Sequence, residues 1–175
     1  MKAKYNENCA ALFLNYNHSD FLKNSLGSII NQSIPFDEII IIDDCSTDNS
    51  VEVIKKLIVN KKKITLITNK INKGVVENLN AGVKLLKSHY IYFVSADDHY
   101  NDNIAKAFKE TIVLYPNIAM ISGNVSRKRP SMERPENLIL PFKTLNNLCD
   151  PTIYMNTAQQ RVVTFFGGGN IIKKD

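Results

Sequence analysis

Two pairs of adjacent aspartates follow two apolar segments of the chain. Asp43 and Asp44 come directly after four consecutive isoleucines, and the second pair, Asp97 and Asp98, follows the segment YIYFVSA. In an open sheet of parallel strands, ligands bind beyond the carboxyl ends of the strands, so both pairs are predicted to lie at one such crevice. Carboxylates gathered there repel one another unless a cation, a ribose or a base lies between them. Because a hard divalent metal takes carboxylate, phosphate and water oxygens, the pattern indicates a metal-assisted nucleotide site.

The same aspartates also suit a purely structural role. Asp-rich segments after strands often form turns or cap the first turn of a helix. Each pair alone is compatible with that interpretation, whereas two pairs in a chain that alternates strands and helices favour the ligand site. Asp43 is expected to orient its loop, and Asp48 is expected to cap a helix rather than to bind a ligand.

The elements that position these residues alternate along the chain. Short apolar or β-branched runs predict strands at Cys9–Leu14, Ile39–Ile42, Ile64–Thr68, Tyr90–Val94 and Ile118–Ser122. Four segments with apolar residues at helical spacing lie between the strands. The first is predicted to be capped by Ser19 and the second by Asp48 or Ser50, while the third begins at Val75 and the fourth at Asn103. This alternation predicts an α/β fold, with a mostly parallel open sheet that carries helices on both faces.

The composition is that of an ordinary globular protein. The 175 residues are 44% apolar and 22% charged, which suffices for one domain with a sizeable core. No apolar run approaches the roughly eighteen residues of a membrane span, and the start MKAKYNENCAALFL does not resemble a signal peptide. Cys9, Cys45 and Cys149 lack metal-type spacing, so we expect reduced thiols in a cytoplasmic protein. The net charge of +5 agrees with an anionic substrate or with peripheral contact at the inner face of the membrane, but a solvated basic face is the default explanation and is favoured over both.

Five motifs in order resemble family 2 glycosyltransferases. They are LNYN from Leu14, NQS from Asn31, IIIIDDCSTDNS from Ile39, NKGVVENLNAG from Asn72 and YIYFVSADD from Tyr90. The resemblance implies a Rossmann-like nucleotide-sugar-binding fold of the A type. It also implies transfer of a sugar from a nucleoside diphosphate donor, preferably a UDP-sugar, to an acceptor hydroxyl, usually with inversion. The whole chain, 1–175, is then one domain, with a nucleotide-sugar-binding part at 8–124 and a partial acceptor-side part at 125–175.

The resemblance also implies roles for individual residues. The nucleotide-binding set is Asn15, Tyr16, Asn17, Asp44, Asn72, Gly74 and Asp97, and the metal ligand is Asp98, which would hold Mn²⁺ or Mg²⁺. Tyr16 matches the aromatic residue that packs on the nucleobase, and Asp44 matches the acid that accepts the imide N–H of uracil or thymine. Asp98 matches the last acid of an Asp-any-Asp motif, whose metal neutralises charge on the departing nucleoside diphosphate. Gly74 is expected to take a positive φ.

Some positions depart from the family pattern. Leu14 replaces the usual Pro, and Asn15 the usual small hydroxyl residue. Ser95 replaces the frequent first Asp of the acidic motif, which bears on ribose or sugar contacts more than on the metal. Leu79 stands where an Arg is common, so the phosphate or base-edge contact of that cation is left open. His99 is expected to be an ordinary loop residue rather than a ligand.

The general base is not identified by the sequence. An inverting transfer needs a group that takes the proton of the acceptor hydroxyl, in this family usually an Asp downstream of a glycine-rich segment. The motif GGGN at Gly167–Asn170 resembles that segment, but the acids after Glu136 are Asp150 and Asp175, and neither lies in such a motif. We therefore expect a chain truncated before the catalytic-base motif.

Alternative functions follow from the same residues. The first is a catalytically silent fragment that binds a nucleotide-sugar. A remote one is a signalling receiver domain, which places its acidic pair after the first strand rather than after the second. A nucleotidyltransferase would need a glycine-rich phosphate loop where this chain has LNYNHSD. The motifs specify neither the sugar nor the acceptor, which is a glycan, a lipid-linked species or a protein, and no nucleic acid partner is expected.

Overall fold

A computed structural model describes residues 8–115, 118, 120–122, 126–127, 136–137 and 170–174 of the chain. The chain divides into two compact units. The first comprises Met1–Ile121 and Asn170–Asp175, and the second comprises Ser122–Gly169. The C-terminal residues belong to the first unit because their strand joins its sheet. The boundary predicted between 124 and 125 stays a prediction.

The elements alternate as the sequence predicts. The strands are β1 (Cys9–Asn15), β2 (Glu38–Asp43), β3 (Ile64–Thr68), β4 (Tyr90–Ser95), β5 (Met120–Ser122), β6 (Ser126–Arg127), β7 (Glu136–Asn137) and β8 (Asn170–Lys173). The helices are α1 (Ser19–Ile30), α2 (Ser50–Leu57), α3 (Gly74–Leu85) and α4 (Ile104–Leu114). None of the helices in the described part of the chain is long and apolar enough to cross a membrane.

The main sheet has six strands in the order β3-β2-β1-β4-β8-β5. Strands β1 to β4 run parallel, whereas β8 pairs with β4 in the antiparallel direction. The predicted α/β fold with a mostly parallel sheet is therefore confirmed. The sequence did not predict β8 as a separate strand after the glycines, because the four residues NIIK are too few for a clear period. A separate two-stranded sheet joins β6 and β7.

Helices cover both faces of this sheet. On one face, strand residues such as Phe13, Ile41 and Tyr92 pack with α1, α2 and α4. On the other face, Leu12 and Ile42 pack with the apolar side of α3. Strands buried on both faces need apolar residues at every position, which explains the uninterrupted runs in β1 and β2.

A buried cation fastens α4 to the start of the sheet. Lys109 has a side chain only 5% exposed, and its Nζ lies 2.8 Å from Asp37 Oδ2 and 3.0 Å from the carbonyl oxygen of Pro35. Asp37 Oδ2 also accepts the backbone N–H of Cys9 at 2.9 Å, at the first residue of β1. A buried charge needs such partners, so this cluster joins three segments at the end of the sheet opposite the aspartate pairs.

Candidate functional site

The carboxyl ends of β1, β2 and β4 lie side by side. In the sheet register Asn15 pairs with Asp43, and Leu14 pairs with Ser95. Strand β1 is central, so the segments that follow β2 and β4 flank the segment that follows β1. The prediction that both aspartate pairs lie at one edge of a parallel sheet is confirmed, and this is the edge where such sheets bind ligands.

Asp43 is a buried carboxylate that organises the turn after β2. It is 1% exposed, and its Oδ2 accepts hydrogen bonds from Asn15 Nδ2 at 2.7 Å and from Ser46 Oγ at 2.6 Å. Its Oδ1 accepts the backbone N–H of Ser46 at 3.0 Å. These donors offset the cost of burying the charge. The prediction that Asp43 orients the loop is confirmed.

Asn15 is itself buried and works through Asp43. It is 2% exposed, and its amide also donates to Ser46 Oγ at 3.1 Å. No donor within the described ranges reaches its Oδ1. In this structure Asn15 holds the turn after β2 against the end of β1. Its direct contact with a nucleotide stays a prediction.

Asn17 fastens the loop after β1 to the loop after β2. It has a φ of 55°, which an Asn tolerates better than most residues. Its N–H donates to Ser46 Oγ at 2.9 Å, and its Oδ1 accepts the N–H of Thr47 at 2.7 Å. Tyr16 therefore lies between two anchored asparagines, and with 44% of its surface exposed its ring is available to a ligand.

Asp44 binds the loop that begins α3. It is 6% exposed. Its Oδ1 accepts Asn69 Nδ2 at 2.8 Å and the N–H of Lys73 at 2.9 Å, while its Oδ2 accepts the N–H of Gly74 at 2.8 Å. Burial raises the pKa of this carboxyl, but these hydrogen bonds and one with Asn78 outweigh burial, so the pKa lies below its usual value. Asp44 is accordingly a firmly ionised acceptor.

The loop before α3 has the backbone conformation predicted at its glycine. Gly74 has a φ of 79°, as its residue type indicated. Asn72 Oδ1 accepts the N–H of Gly74 at 3.1 Å, so Asn72 supports the turn from within. The contact of Asn72 and Gly74 with a nucleotide stays a prediction.

Two asparagines that the sequence did not single out complete this network. Asn78 is 3% exposed, and its Nδ2 donates to the carbonyl of Gly74 at 2.9 Å. Its Oδ1 accepts Asn69 Nδ2 at 2.7 Å. A polar residue one turn after the loop glycine was the available signal, but its partners come from another loop. Leu79, where the family often has an Arg, packs against the apolar cluster below α3.

The acidic motif forms a tight turn at the end of β4. Ser95 Oγ donates a short hydrogen bond to Asp97 Oδ1, and the N–H of Asp98 donates to the carbonyl of Ser95 at 3.4 Å. Burial and, secondly, the negative charge of Asp97 raise the pKa of the Asp98 carboxyl, while a hydrogen bond from Tyr100 opposes them. A cation bound between the two carboxylates would reverse that shift. His99 is exposed beside them.

The carboxylates of Asp97 and Asp98 fit a divalent metal whose remaining ligands are oxygens of the substrate and of water. Within the described residues no three His, Cys, Asp or Glu side chains converge on one point. The hydrogen bond between the Tyr100 hydroxyl and Asp98 Oδ2 is long, at 3.4 Å, so the Asp98 oxygens retain acceptor capacity. Mn²⁺ or Mg²⁺ takes one or two carboxylates together with phosphate and water oxygens, and Asp98 with Asp97 suits that requirement.

Asp48 accepts hydrogen bonds at the start of two helices, although the cap position of α2 is Asn49 rather than the predicted Asp48 or Ser50. Its Oδ2 accepts the N–H of Ser19 and its Oδ1 the N–H of Ser50, both at 2.9 Å. Each donor is the first residue of its helix. The prediction that Ser19 caps α1 is wrong, because the cap position belongs to His18, which makes no side-chain cap, and the free N–H of Ser19 turns to Asp48.

Sequence comparison identifies the family. The sequence profile of glycosyl transferase family 2 matches residues 12–166. The chain belongs to this family. It is a family 2 glycosyltransferase sequence, so the receiver-domain and nucleotidyltransferase interpretations are wrong.

Named relatives are longer than this chain. An uncharacterized glycosyltransferase of Haemophilus influenzae is 34% identical over 110 residues, which cover 62% of this chain and 43% of the relative. Poly-beta-1,6-N-acetyl-D-glucosamine synthase of Staphylococcus epidermidis is 29% identical over 118 residues, covering 67% and 28%. The matched region therefore spans less than half of either relative.

Solved structures show the same fold. S. aureus TarS 1–349 in complex with UDP-GlcNAc has a TM-score of 0.58 at 25% identity, covering 62% of this chain and 32% of that one. The mannosyltransferase PcManGT of Pyrobaculum calidifontis, in complex with GDP-Man and Mn²⁺, has a TM-score of 0.61 at 21% identity, covering 71% and 37%. These similarities confirm the predicted A-type nucleotide-sugar-binding fold.

Proposed function

We propose that this chain provides the donor side of a metal-assisted, inverting sugar transfer from a UDP-sugar to an acceptor hydroxyl. The observation that supports this proposal most directly is how the residues that follow β1 and β2 are arranged. The N–H of Asp44 donates to the carbonyl of Asn15, the residue before Tyr16, at 2.8 Å. An ionised acceptor and an exposed aromatic ring therefore follow two directly bonded strand ends. That pairing suits a flat base with an imide N–H.

Asp44 would accept the base at Oδ2. Each oxygen of a carboxylate accepts about two hydrogen bonds; the N–H of Gly74 reaches Oδ2, and Asn78 also interacts with this carboxylate. The imide N–H of uracil would bind Oδ2 beside the N–H of Gly74. Adenine carries no imide, so an ADP-sugar would leave that acceptor unpaired in a closed site.

The divalent cation would be held by Asp98, with Asp97 in reach of the cation or of the ribose. Mn²⁺ or Mg²⁺ supplies Lewis-acid neutralisation of the diphosphate as it leaves the sugar carbon. The chain's own contribution is to keep both carboxylates at the end of β4, beside the strand β1 that Tyr16 follows. The Ser95 hydroxyl holds Asp97 in place, a contact that replaces the first acid common in the family.

A second candidate is donor binding without transfer. The chain spans less than half of its named relatives, and no general base is assigned to it. Asp150, the first residue to test as a base, lies outside the described residues. The acceptor, whether a glycan, a lipid-linked species or a protein, stays a prediction, as do a cytoplasmic location and peripheral contact with the membrane.

Titration calorimetry tests the donor site. UDP should bind more tightly with Mn²⁺ than in chelator, and at least about tenfold more tightly than ADP, because one unpaired polar contact costs about 1–3 kcal/mol. Asp98→Asn should remove the metal dependence. Asp102→Asn, at an exposed aspartate four residues later, is the matched control and should retain it. Equal UDP affinity with and without metal, or ADP binding as tight as UDP, would contradict the proposal.

A further inference from the structure

A buried tyrosine hydroxyl supports the acidic turn from the core side. Tyr100 is 4% exposed, and its hydroxyl oxygen accepts the N–H of Ser95, the last residue of β4, at 2.8 Å. The same hydroxyl lies 3.4 Å from the carbonyl of Ser95 and 3.4 Å from Asp98 Oδ2. Its single proton is therefore directed to one of these two acceptors, and a carboxylate is the stronger of them.

We propose that Tyr100 is a positioning residue for the donor-side cation. Its hydroxyl fixes the strand end at Ser95 and orients the Asp98 carboxylate toward the divalent metal. This inference rests on the proposed function, because it requires a cation at Asp98. It adds a residue that contacts neither the nucleotide nor the sugar and acts only through Asp98 and the turn.

The phenol is held rigidly enough for this role. Its ring meets Tyr92 edge to face, with centroids 5.6 Å apart and an interplanar angle of 83°. Its backbone N–H donates to Ser28 Oγ of α1 at 3.2 Å, and that hydroxyl donates to the carbonyl of Ser25 at 2.7 Å. Ring and backbone are thus fixed by different elements, so the hydroxyl has a defined position. A ligand oriented by a fixed partner loses less freedom when it binds its metal.

The same aromatic cluster contains a matched control. Tyr92 is fully buried, and its ring packs on Phe36 and Phe108 as well as on Tyr100. Its hydroxyl has no hydrogen-bond partner in the described part of the chain. Tyr92→Phe and Tyr100→Phe each remove one buried phenol oxygen and keep the ring. They differ in that only the Tyr100 hydroxyl touches the acidic turn.

Mn²⁺ titration at saturating UDP, followed by the electron paramagnetic resonance of free Mn²⁺, tests the inference. Tyr100→Phe should weaken Mn²⁺ binding about three- to tenfold, a modest factor because the contact to Asp98 is long. UDP affinity in chelator should stay within about twofold of wild type. Tyr92→Phe should bind Mn²⁺ as wild type does.

The outcomes separate this inference from the function on which it rests. Wild-type Mn²⁺ affinity in Tyr100→Phe, with loss in Asp98→Asn, would overturn the inference and leave the metal site standing. Retained Mn²⁺ affinity in Asp98→Asn would overturn both. If Tyr100→Phe lowers the melting temperature so far that titration fails, Ser28→Ala takes its place. That variant removes the backbone anchor of Tyr100 and should weaken Mn²⁺ binding in the same direction, and unchanged affinity would contradict the inference.

Discussion

Asn15 and Asp43 face each other across β1 and β2, and the Asn15 amide donates to the Asp43 carboxylate at 2.7 Å. Both side chains are almost completely buried. The pair lies immediately before Tyr16 and Asp44, the two residues proposed to hold the base. The position of the proposed base pocket therefore depends on a buried hydrogen bond between two neighbouring strand ends.

Replacing Asn15 with Ala should destabilise the chain by about 1–3 kcal/mol, because a buried carboxylate loses a donor. UDP affinity should fall as the loop after β2 loosens. Urea unfolding and calorimetry measure the two effects. Asn80→Ala, at an exposed position of α3, is the control and should leave UDP affinity unchanged. Unchanged stability in Asn15→Ala would show that Ser46 alone holds Asp43.

Gly74→Ala should destabilise the chain by about 1 kcal/mol and weaken UDP binding. A side chain is strained at a φ of 79°, although no atom lies within 4 Å of the added Cβ. Gly27→Ala is the matched control, because its Cβ also meets nothing within 4 Å but the residue lies inside α1. That variant should be neutral or stabilising by up to about 1 kcal/mol. Equal effects on thermal unfolding in the two variants would contradict this account.

Asp48 should give the folded state a stability that disappears in acid. Burial raises its pKa, but hydrogen bonds from Ser50 and Ser19 outweigh burial and lower it from 3.8 to about 2. A carboxyl group whose pKa is lower in the folded chain than in the unfolded chain stabilises the folded state at pH values above its unfolded pKa. That stabilisation is lost as the pH falls through the folded pKa of about 2.

Asp48→Ala should therefore cost about 1 kcal/mol at pH 6, the usual value of a helix-end hydrogen bond, and less at pH 2.5. Urea unfolding at both pH values measures the difference. Asp102→Ala, whose side chain is exposed, is the control for removing a carboxylate. A cost of Asp48→Ala that grows in acid would contradict the sign of the shift.

The two described thiols should differ in reactivity. Burial raises the pKa of the Cys9 thiol to about 12, so almost no thiolate exists at pH 8. Cys45 is partly exposed in the loop after β2. In a Cys149→Ser background, Ellman's reagent should label Cys45 in the native chain and label Cys9 only after denaturation. Labelling of native Cys45→Ser at the same rate would disprove the assignment.

Much of the fold follows from local patterns in the chain. Four isoleucines in a row indicate a strand buried on both faces, and helical spacing between such strands indicates a parallel sheet with helices on either side. The residue type of Gly74 predicted its positive φ. The acidic pairs after β2 and β4 indicated which edge of the sheet carries the candidate site. These properties depend on neighbours in sequence, which is why the sequence determines them.

Only the tertiary structure decided how the site's polar groups are shared. Asp44 binds Asn69 and Gly74, which lie 25 and 30 residues further along the chain. Tyr100 differs from Tyr92 in role because its hydroxyl reaches the turn after β4, whereas that of Tyr92 meets no described partner. The two residues are both tyrosines, so it is the hydrogen-bond partner of each hydroxyl that distinguishes them. Such partners are brought together by the packing of several elements at once, which no periodicity along the chain encodes.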